Sequence, residues 1–171
     1  GEEPASLVFN GQIHQGDLIS RNSALGFADL RGFTAASERL PRDQLVNLIN
    51  SFFEHVYIAV YRVGGEILKF MGDGVLFIVP DEGDAAATCD RALEAVTALI
   101  KRVQVHNQEP SKQPIRFGCA LHYGEVLYGN MGSPARLDFT VMGPTVNLTA
   151  RIESLTGQVG ETCLLSERFD S

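Results

Sequence analysis

Two acids carry the first chemical signal in this chain. Asp29 closes the apolar stretch SALGFAD (23–29), and Asp73 sits between two glycines in LKFMGDGVLF (68–77). Both follow strand-like runs. In a β-α-β-β order the first strand and the hairpin can lie side by side, which brings both carboxylates to one edge of a sheet. Two carboxylates in open surroundings suit Mg²⁺, which keeps several waters and accepts substrate phosphates. A pair of ions there suits in-line displacement at phosphorus. The same residues also have a structural reading, with Asp29 capping the next segment and Asp73 an ordinary turn acid.

Three further patterns bear on the same chemistry. DLRGFT (29–34) places a glycine close behind the first acid, and backbone N–H groups in such a turn, leading into a helix, can cradle phosphate. NLTAR sets Asn147 and Arg151 four residues apart, hence on one face of a helix. A guanidinium can clamp a phosphate bidentately, and an amide can orient a sugar oxygen. A solvated helix face, with Arg151 paired to Glu153 or Glu161, is the alternative. Lys69 is one of three lysines, with Lys101 and Lys112, and it interrupts an apolar strand. Strand alternation puts residues 69, 71 and 73 on one face and 68, 70 and 72 on the other. An exposed Lys69–Asp73 ion pair would contribute only about 0–1 kcal/mol, a poor reason to spoil such a strand. His14, His55, His106 and His122 have no metal-ligand spacing with one another or with the cysteines. The pattern places His55 on a long helix and His122 at a strand end.

The elements that must position these residues follow from periodicity. Leu45, Leu48, Ile49, Phe52, Phe53, Val56 and Val60 mark one face of a long helix, which Gly64 and Gly65 stop. EILKF and VLFIV form a hairpin around Gly72-Asp73-Gly74. A second helix runs from about Asp84 to Val103. IRFGCALHYG and EVLYGNM read as two strands with a turn at Gly124, LDFTVMG as a short strand, PTVNLTARIESL as a helix with Pro144 at its first position, and ETCLLS as a last strand. Hairpins mixed with crossover helices point to an α+β sandwich with a mainly antiparallel sheet. Residues 1–22 read as a connector and 23–171 as one domain.

Bulk properties narrow the partners. The chain has 171 residues, 44% of them hydrophobic and 20% charged, an ordinary globular composition with enough length for one core. A net charge of −7 weighs against nucleic acid, which asks for a basic face. An anionic ligand must therefore be held by local groups or metals. Cys89, Cys119 and Cys163 are far apart and odd in number, which reads as three buried free thiols in a reducing, cytoplasmic setting. No apolar run is long enough to span a membrane.

Taken together, three segments resemble the class III nucleotidyl cyclase catalytic domain of the bacterial adenylate cyclase type. They are FADLRGFTAAS (27–37), GGEILKFMGDGVLFIVP (64–80) and CALHYGEVLYGNMGSPARLDFTVMGPTVNLTARIESLTG (119–157). The resemblance implies a ferredoxin-like βαββαβ core flanked by helices. It implies two divalent ions, Mg²⁺ or Mn²⁺, at Asp29 and Asp73 with help from the Leu30 carbonyl. Arg31, Gly32, Phe33 and Thr34 would form the phosphate loop. Lys69 and Thr140 match the purine-reading pair, Asn147 the ribose-orienting residue, and Arg151 the arginine that stabilises the α-phosphate in the transition state. Lysine can donate to the N1 acceptor of adenine, whereas guanine carries a proton there and prefers an acceptor. The implied activity is conversion of ATP to 3′,5′-cyclic AMP and pyrophosphate, at sites shared across a head-to-tail homodimer, under an upstream sensor domain. The alternatives are a guanylate cyclase and a catalytically silent nucleotide-binding or dimerisation domain. GGEIL (64–68) superficially resembles the GGDEF signature of diguanylate cyclases but lacks its second acid and its aromatic. Two departures stand out: Pro144 where the family often has Asp or Asn, and no lysine after Lys112 for the terminal phosphates, so the family's C-terminal hairpin is expected to be lacking.

Overall fold

The computed structural model describes residues 18–133, 136–142 and 163–165. Their order is β1 (Leu18–Leu30), α1 (Phe33–Arg39), α2 (Arg42–Tyr61), β2 (Glu66–Met71), β3 (Gly74–Pro80), α3 (Ala85–Asn107), β4 (Phe117–Ser133), β5 (Arg136–Met142) and β6 (Cys163–Leu165). The sheet runs β2-β3-β1-β4-β5, with β6 added to β4. Every pairing is antiparallel except β4 with β6. This is the expected α+β architecture, and β1 to β4 with their crossover helices form the ferredoxin-like βαββαβ core.

Both long helices form for the reasons their sequences give. The apolar stripe of α2 buries Leu48, Phe52, Val56 and Val60, together with Ala59. The helix ends where Gly64 turns left-handed at φ 77°, and the N–H of Gly65 bonds back to the Val60 carbonyl at 3.0 Å, a closure only a residue tolerant of positive φ permits. Asp84 caps α3, its carboxylate accepting from the Ala87 N–H at 3.1 Å, a bond that satisfies one orphan donor of the first turn. The Arg91 guanidinium then ties α3 to the chain on either side of the hairpin, donating to the carbonyls of Val63 and Pro80. Tyr123 donates to Asp81, and this bond, ahead of the Gly83 N–H, holds the Asp81 carboxyl below its ordinary range.

The sheet has two unlike faces. On one, Ala24, Ala28, Val75, Phe77, Val79, Cys119 and Leu121 meet the buried stripes of α2 and α3. On the other, Leu25, Phe27, Leu76, Ile78 and Val126 make a smaller cluster drawn from strands alone. Alternation along each strand sorts the residues between the two.

Five details depart from the sequence reading. Strand β1 begins at Leu18, inside the expected connector, because its polar residues still pair with β4 (Ser20 with Leu127, Asn22 with Glu125). The helix that follows the Arg31-Gly32 turn, α1, is a short piece separate from α2; it buries no residue fully and rests Phe33 and Ala36 on the core, too brief a stripe to mark a period of its own. Gly124 is not a turn. It lies within one 17-residue strand, β4, opposite Ser23. For the same reason His122 sits mid-strand opposite Leu25 rather than at a strand end. The thiols are free, but only Cys119 is fully buried. Cys163 lies opposite it across the β4–β6 pair, and a hydrogen bond between them lowers the Cys163 pKa against the effect of burial. The helix expected over PTVNLTARIESL lies outside the described residues.

One close approach sets a stability test. The ring of Phe77 lies over Gly26, and a Cβ at that position would come within 2.0 Å of it. Gly26→Ala is expected to cost about 1–3 kcal/mol, the usual range for overpacking, read from urea unfolding. Adding Phe77→Leu should recover part of the loss.

Candidate active site

The acids are brought together by strand register. Asp29 pairs with Gly74, the residue after Asp73. The next rung is formed across the turn itself, with the Leu30 N–H donating to the Asp73 carbonyl at 3.2 Å. The turn has two residues, Gly72 and Asp73, since Met71 already pairs with Gly74. Gly72 has φ 63° and Asp73 does not have positive φ, the pattern of a hairpin turn with glycine at its first position. Gly74 must be small: a Cβ there would lie 2.9 Å from the Phe27 ring and 3.3 Å from the Asp29 Cβ. Asp29 and Asp73 therefore occupy one end of the sheet, both half-buried and open to solvent. The Asp29 side shares the face of Phe27, away from the helices.

Lys69 reaches that face by a different device. Strand β2 carries a register shift, with Ile67 opposite Phe77 and Lys69 opposite Leu76, so Leu68 is an extra residue. A bulge of this kind sets two residues against one. Leu68 packs on the strand-only cluster, and Lys69, paired with Leu76, takes the same side. Phe70 falls on the helix side, its ring 4.7 Å from that of Phe53. The simple alternation read from sequence is thus corrected at one point: 68 does not share a face with 70. Lys69 is exposed. Among the described residues no ion pair joins Lys69 to Asp73, so the structural reading of that pair is not realised.

The residues expected to form a phosphate loop, Arg31, Gly32, Phe33 and Thr34, follow directly after β1. Arg31 and Gly32 form a turn after β1, with the Arg31 N–H donating to the Arg116 carbonyl at 2.7 Å. Gly32 has φ 70° and precedes Phe33 and Thr34 at the start of α1, where no side chain caps the first N–H groups. Thr140 is placed by its backbone opposite Gly129 in the β4–β5 ribbon. Lys69 and Thr140 thus lie on strands at opposite ends of the sheet order. Asn147 and Arg151 lie outside the described residues.

The donor set fits a hard divalent ion. Two carboxylates and a nearby backbone carbonyl, that of Leu30, are all oxygen ligands, and Mg²⁺ is commonly held by one or two carboxylates with waters and substrate phosphates completing its shell. Among the described residues no group of three His, Cys, Asp or Glu side chains is poised for a metal, so no closed structural site competes with this reading.

Residues 20–167 match the family described as the adenylate and guanylate cyclase catalytic domain. The chain belongs to that family. An adenylate cyclase of Anabaena cylindrica is 32% identical over 162 residues, covering 91% of this chain and 31% of that protein. The cyclase domain described here therefore spans about a third of the length of that relative. A bacterial light-regulated adenylyl cyclase has the same fold with a TM-score of 0.84 and 27% identity, covering 98% of this chain and 50% of the other. The guanylyl cyclase Cya2 is 35% identical, with a TM-score of 0.66, covering 82% of this chain and 72% of the other. No described helix of the domain is long and apolar enough to cross a membrane.

Because Lys69 and Asp73 are open to solvent and not joined to each other, neither supports the fold. Lys69→Ala and Asp73→Asn are each expected to change unfolding free energy by less than about 0.5 kcal/mol, as for surface positions generally. Urea unfolding of the two single variants and the double variant measures this. A shared, non-additive loss would reveal an ion pair instead.

Proposed function

We propose that this domain is an adenylate cyclase that converts ATP to 3′,5′-cyclic AMP and pyrophosphate. The observation that carries the reading is the register of β1 with β3, which sets Asp29 beside Asp73 at one open end of the sheet. Asp29 and Asp73, with the Leu30 carbonyl, would hold two divalent ions, Mg²⁺ or Mn²⁺. Such ions, when bound, lower the pKa of a coordinated hydroxyl and neutralise phosphate charge. The 3′-hydroxyl gives its proton to Asp29, water or a substrate phosphate oxygen and attacks the α-phosphorus in line, the bond to the bridging oxygen breaks, and pyrophosphate leaves with that oxygen. The backbone N–H groups of Gly32, Phe33 and Thr34, with Arg31 beside them, would orient the phosphates. Arg151 would stabilise charge developing on the α-phosphate, and Asn147 would orient the ribose. Lys69 and Thr140 would read the purine edge.

The site would be shared between two copies of the chain. Strand β4 supports this reading for Thr140, because it pairs with Asp29 at Gly118 and with Thr140 at Gly129. Those two points are separated by eleven residues of strand, a contour of about 36 Å. In a head-to-tail dimer one protomer supplies the aspartates, and its partner supplies the purine pair, the asparagine and the arginine. Lys69 and Asp73, four residues apart, then serve different nucleotides. The similarity to Cya2, a guanylyl cyclase, keeps cyclic GMP formation as the competing reading. An upstream sensor domain would fit a signalling output of this kind.

Product formation at high protein concentration tests the proposal, with ATP or GTP and Mn²⁺ or Mg²⁺. Cyclic AMP from ATP is expected, with Asp73→Ala lowering the rate about a hundredfold or more, as for loss of a principal electrostatic group. Cyclic GMP alone would overturn the purine assignment, and no product with either nucleotide would overturn the enzymatic reading. Sharing of the site is tested separately. Asp73→Ala and Arg151→Ala chains, each inactive alone, should regain activity when mixed, because one of the two sites in a mixed dimer is then intact. Mixed dimers without activity would rule the shared site out.

A further inference from the structure

On the helix layer, far in sequence from the acids, a chain of side-chain hydrogen bonds joins α2 to α3 and runs on into the segment before β4. Its direction can be assigned from its two ends. His106 Nε2 lies 2.8 Å from the Gln113 carbonyl oxygen. A carbonyl only accepts, so Nε2 bears a proton; at the other end Arg102 Nε–H donates to His55 Nδ1, so His55 carries its proton on Nε2 and His106 Nδ1 is an acceptor. That Nδ1 faces Nε2 of His55 at 3.5 Å, which makes His55 Nε2 the donor and His55 Nδ1 the second acceptor. The latter accepts from Arg102 Nε–H at 3.2 Å. The chain therefore reads Arg102 to His55 to His106 to Gln113, with both imidazoles neutral. A further proton has no favourable place in it. On His55 Nδ1 it would face the Arg102 N–H, and on His106 Nδ1 it would face the His55 N–H.

The far end of this chain leads to the candidate active site. His106 holds Gln113, and its neighbour Asn107 holds Ile115 twice, accepting from the Ile115 N–H at 2.7 Å and donating to its carbonyl at 2.9 Å. The next carbonyl, that of Arg116, accepts from the N–H of Arg31, two residues from Asp29. The near end opens to solvent through a cleft of about 290 Å³ lined by His55, Lys101, Arg102, His106, Glu109 and Lys112, so protons can reach it.

We propose that Arg102, His55 and His106 form a proton-operated latch that pins segment 113–116 and, through Arg116, the turn at Arg31. Neutral, the latch keeps α2 tied to α3 and holds that turn beside Asp29; a proton on either Nδ1 breaks the chain at Arg102–His55 or at His55–His106, which frees the end of α3 that carries His106 and Asn107, and the turn loosens. The charges around His55 suit this role. Burial opposes its protonation first, then Arg102 and His106 on α3. Glu54 on its own helix favours protonation and Lys112 in the following loop opposes it, so its pKa lies below the ordinary 6.5. Lys101 and Glu109 complete the lining. An unfolded chain takes up this proton first as pH falls, so the stabilisation is whole above pH 6.5 and is lost as pH drops below it toward the folded-state value. Any effect on turnover rests on the cyclase reading; the latch itself does not.

The test is a histidine and amide NMR titration of the 171-residue chain from about pH 8 to about pH 5, across the imidazole range. His55 is expected to titrate below 6.5, with the Ile115 and Arg31 amides shifting at the same midpoint. After correction for intrinsic rates, exchange of the Arg31 amide should quicken about tenfold as the latch opens, the signature of a local opening. In His55→Gln the shared midpoint should disappear. Amides of Arg31 and Ile115 that ignore the His55 titration, or an ordinary midpoint for His55, would overturn the proposal. The same coupling in Asp73→Asn would support the latch even in a chain without cyclase activity, so the two readings fail separately.

Discussion

The alignment of β1 against β3 is the constraint on which everything chemical in this domain depends. Asp29 lies on the last residues of a strand and Asp73 in a turn formed more than forty residues later. Only the register that places Asp29 opposite Gly74, closed by the Leu30 N–H to the Asp73 carbonyl, makes them neighbours. A slip of one residue would turn every side chain of β1 to the other face. Ala24 and Ala28 would leave the helix-side core, and Asp29 would enter it. The apolar pattern and the acidic pair are therefore fixed by the same set of backbone bonds. The cost of a slip, paid in the core, protects the placement of the acids.

Labour is divided between the two faces of the sheet. The helix side carries the large buried cluster, with Phe52, Val56 and Leu99 packed on Val75, Phe77 and Cys119. The other side carries Asp29, Lys69 and a smaller apolar cluster. Glycine makes the close approaches possible on both, at Gly26 beneath the Phe77 ring and at Gly74 beside Phe27.

Much of this was legible in the residues, and the rest fails for definable reasons. Helices α2 and α3 announce themselves because each has one side to bury and therefore a 3.6-residue period. Helix α1 has seven residues and rests only the half-buried Phe33 and Ala36 on the core, too short a stripe to read as a period. Tyr-Gly-Glu at 123–125 looks like a turn, yet Gly124 is held in the strand by long-range pairing with Ser23 of β1, which local sequence cannot express. The candidate acids were recognisable from the runs they terminate, and Asp73 from its flanking glycines. That Lys69 and Asp73 stand apart rather than paired is visible only in the family resemblance or in the folded chain. The link between His55 and His106 spans 51 positions and carries no motif, so only packing of α2 on α3 reveals it.

The extra residue at Leu68 has a consequence for how the hairpin tolerates change. Counting back from the turn, Lys69 is set opposite Leu76 by the two-residue loop alone. Counting forward from α2, Ile67 is set opposite Phe77, and Glu66 opposite Ile78 on the side away from the helices. The two counts disagree by one, and the bulge absorbs the difference. It acts as a slip joint: a displacement handed down from the end of α2 is taken up before it reaches Lys69. Along the strand that lysine takes its position from the turn that carries Asp73, and its tie to the helix layer runs instead through the neighbouring Phe70 ring on Phe53.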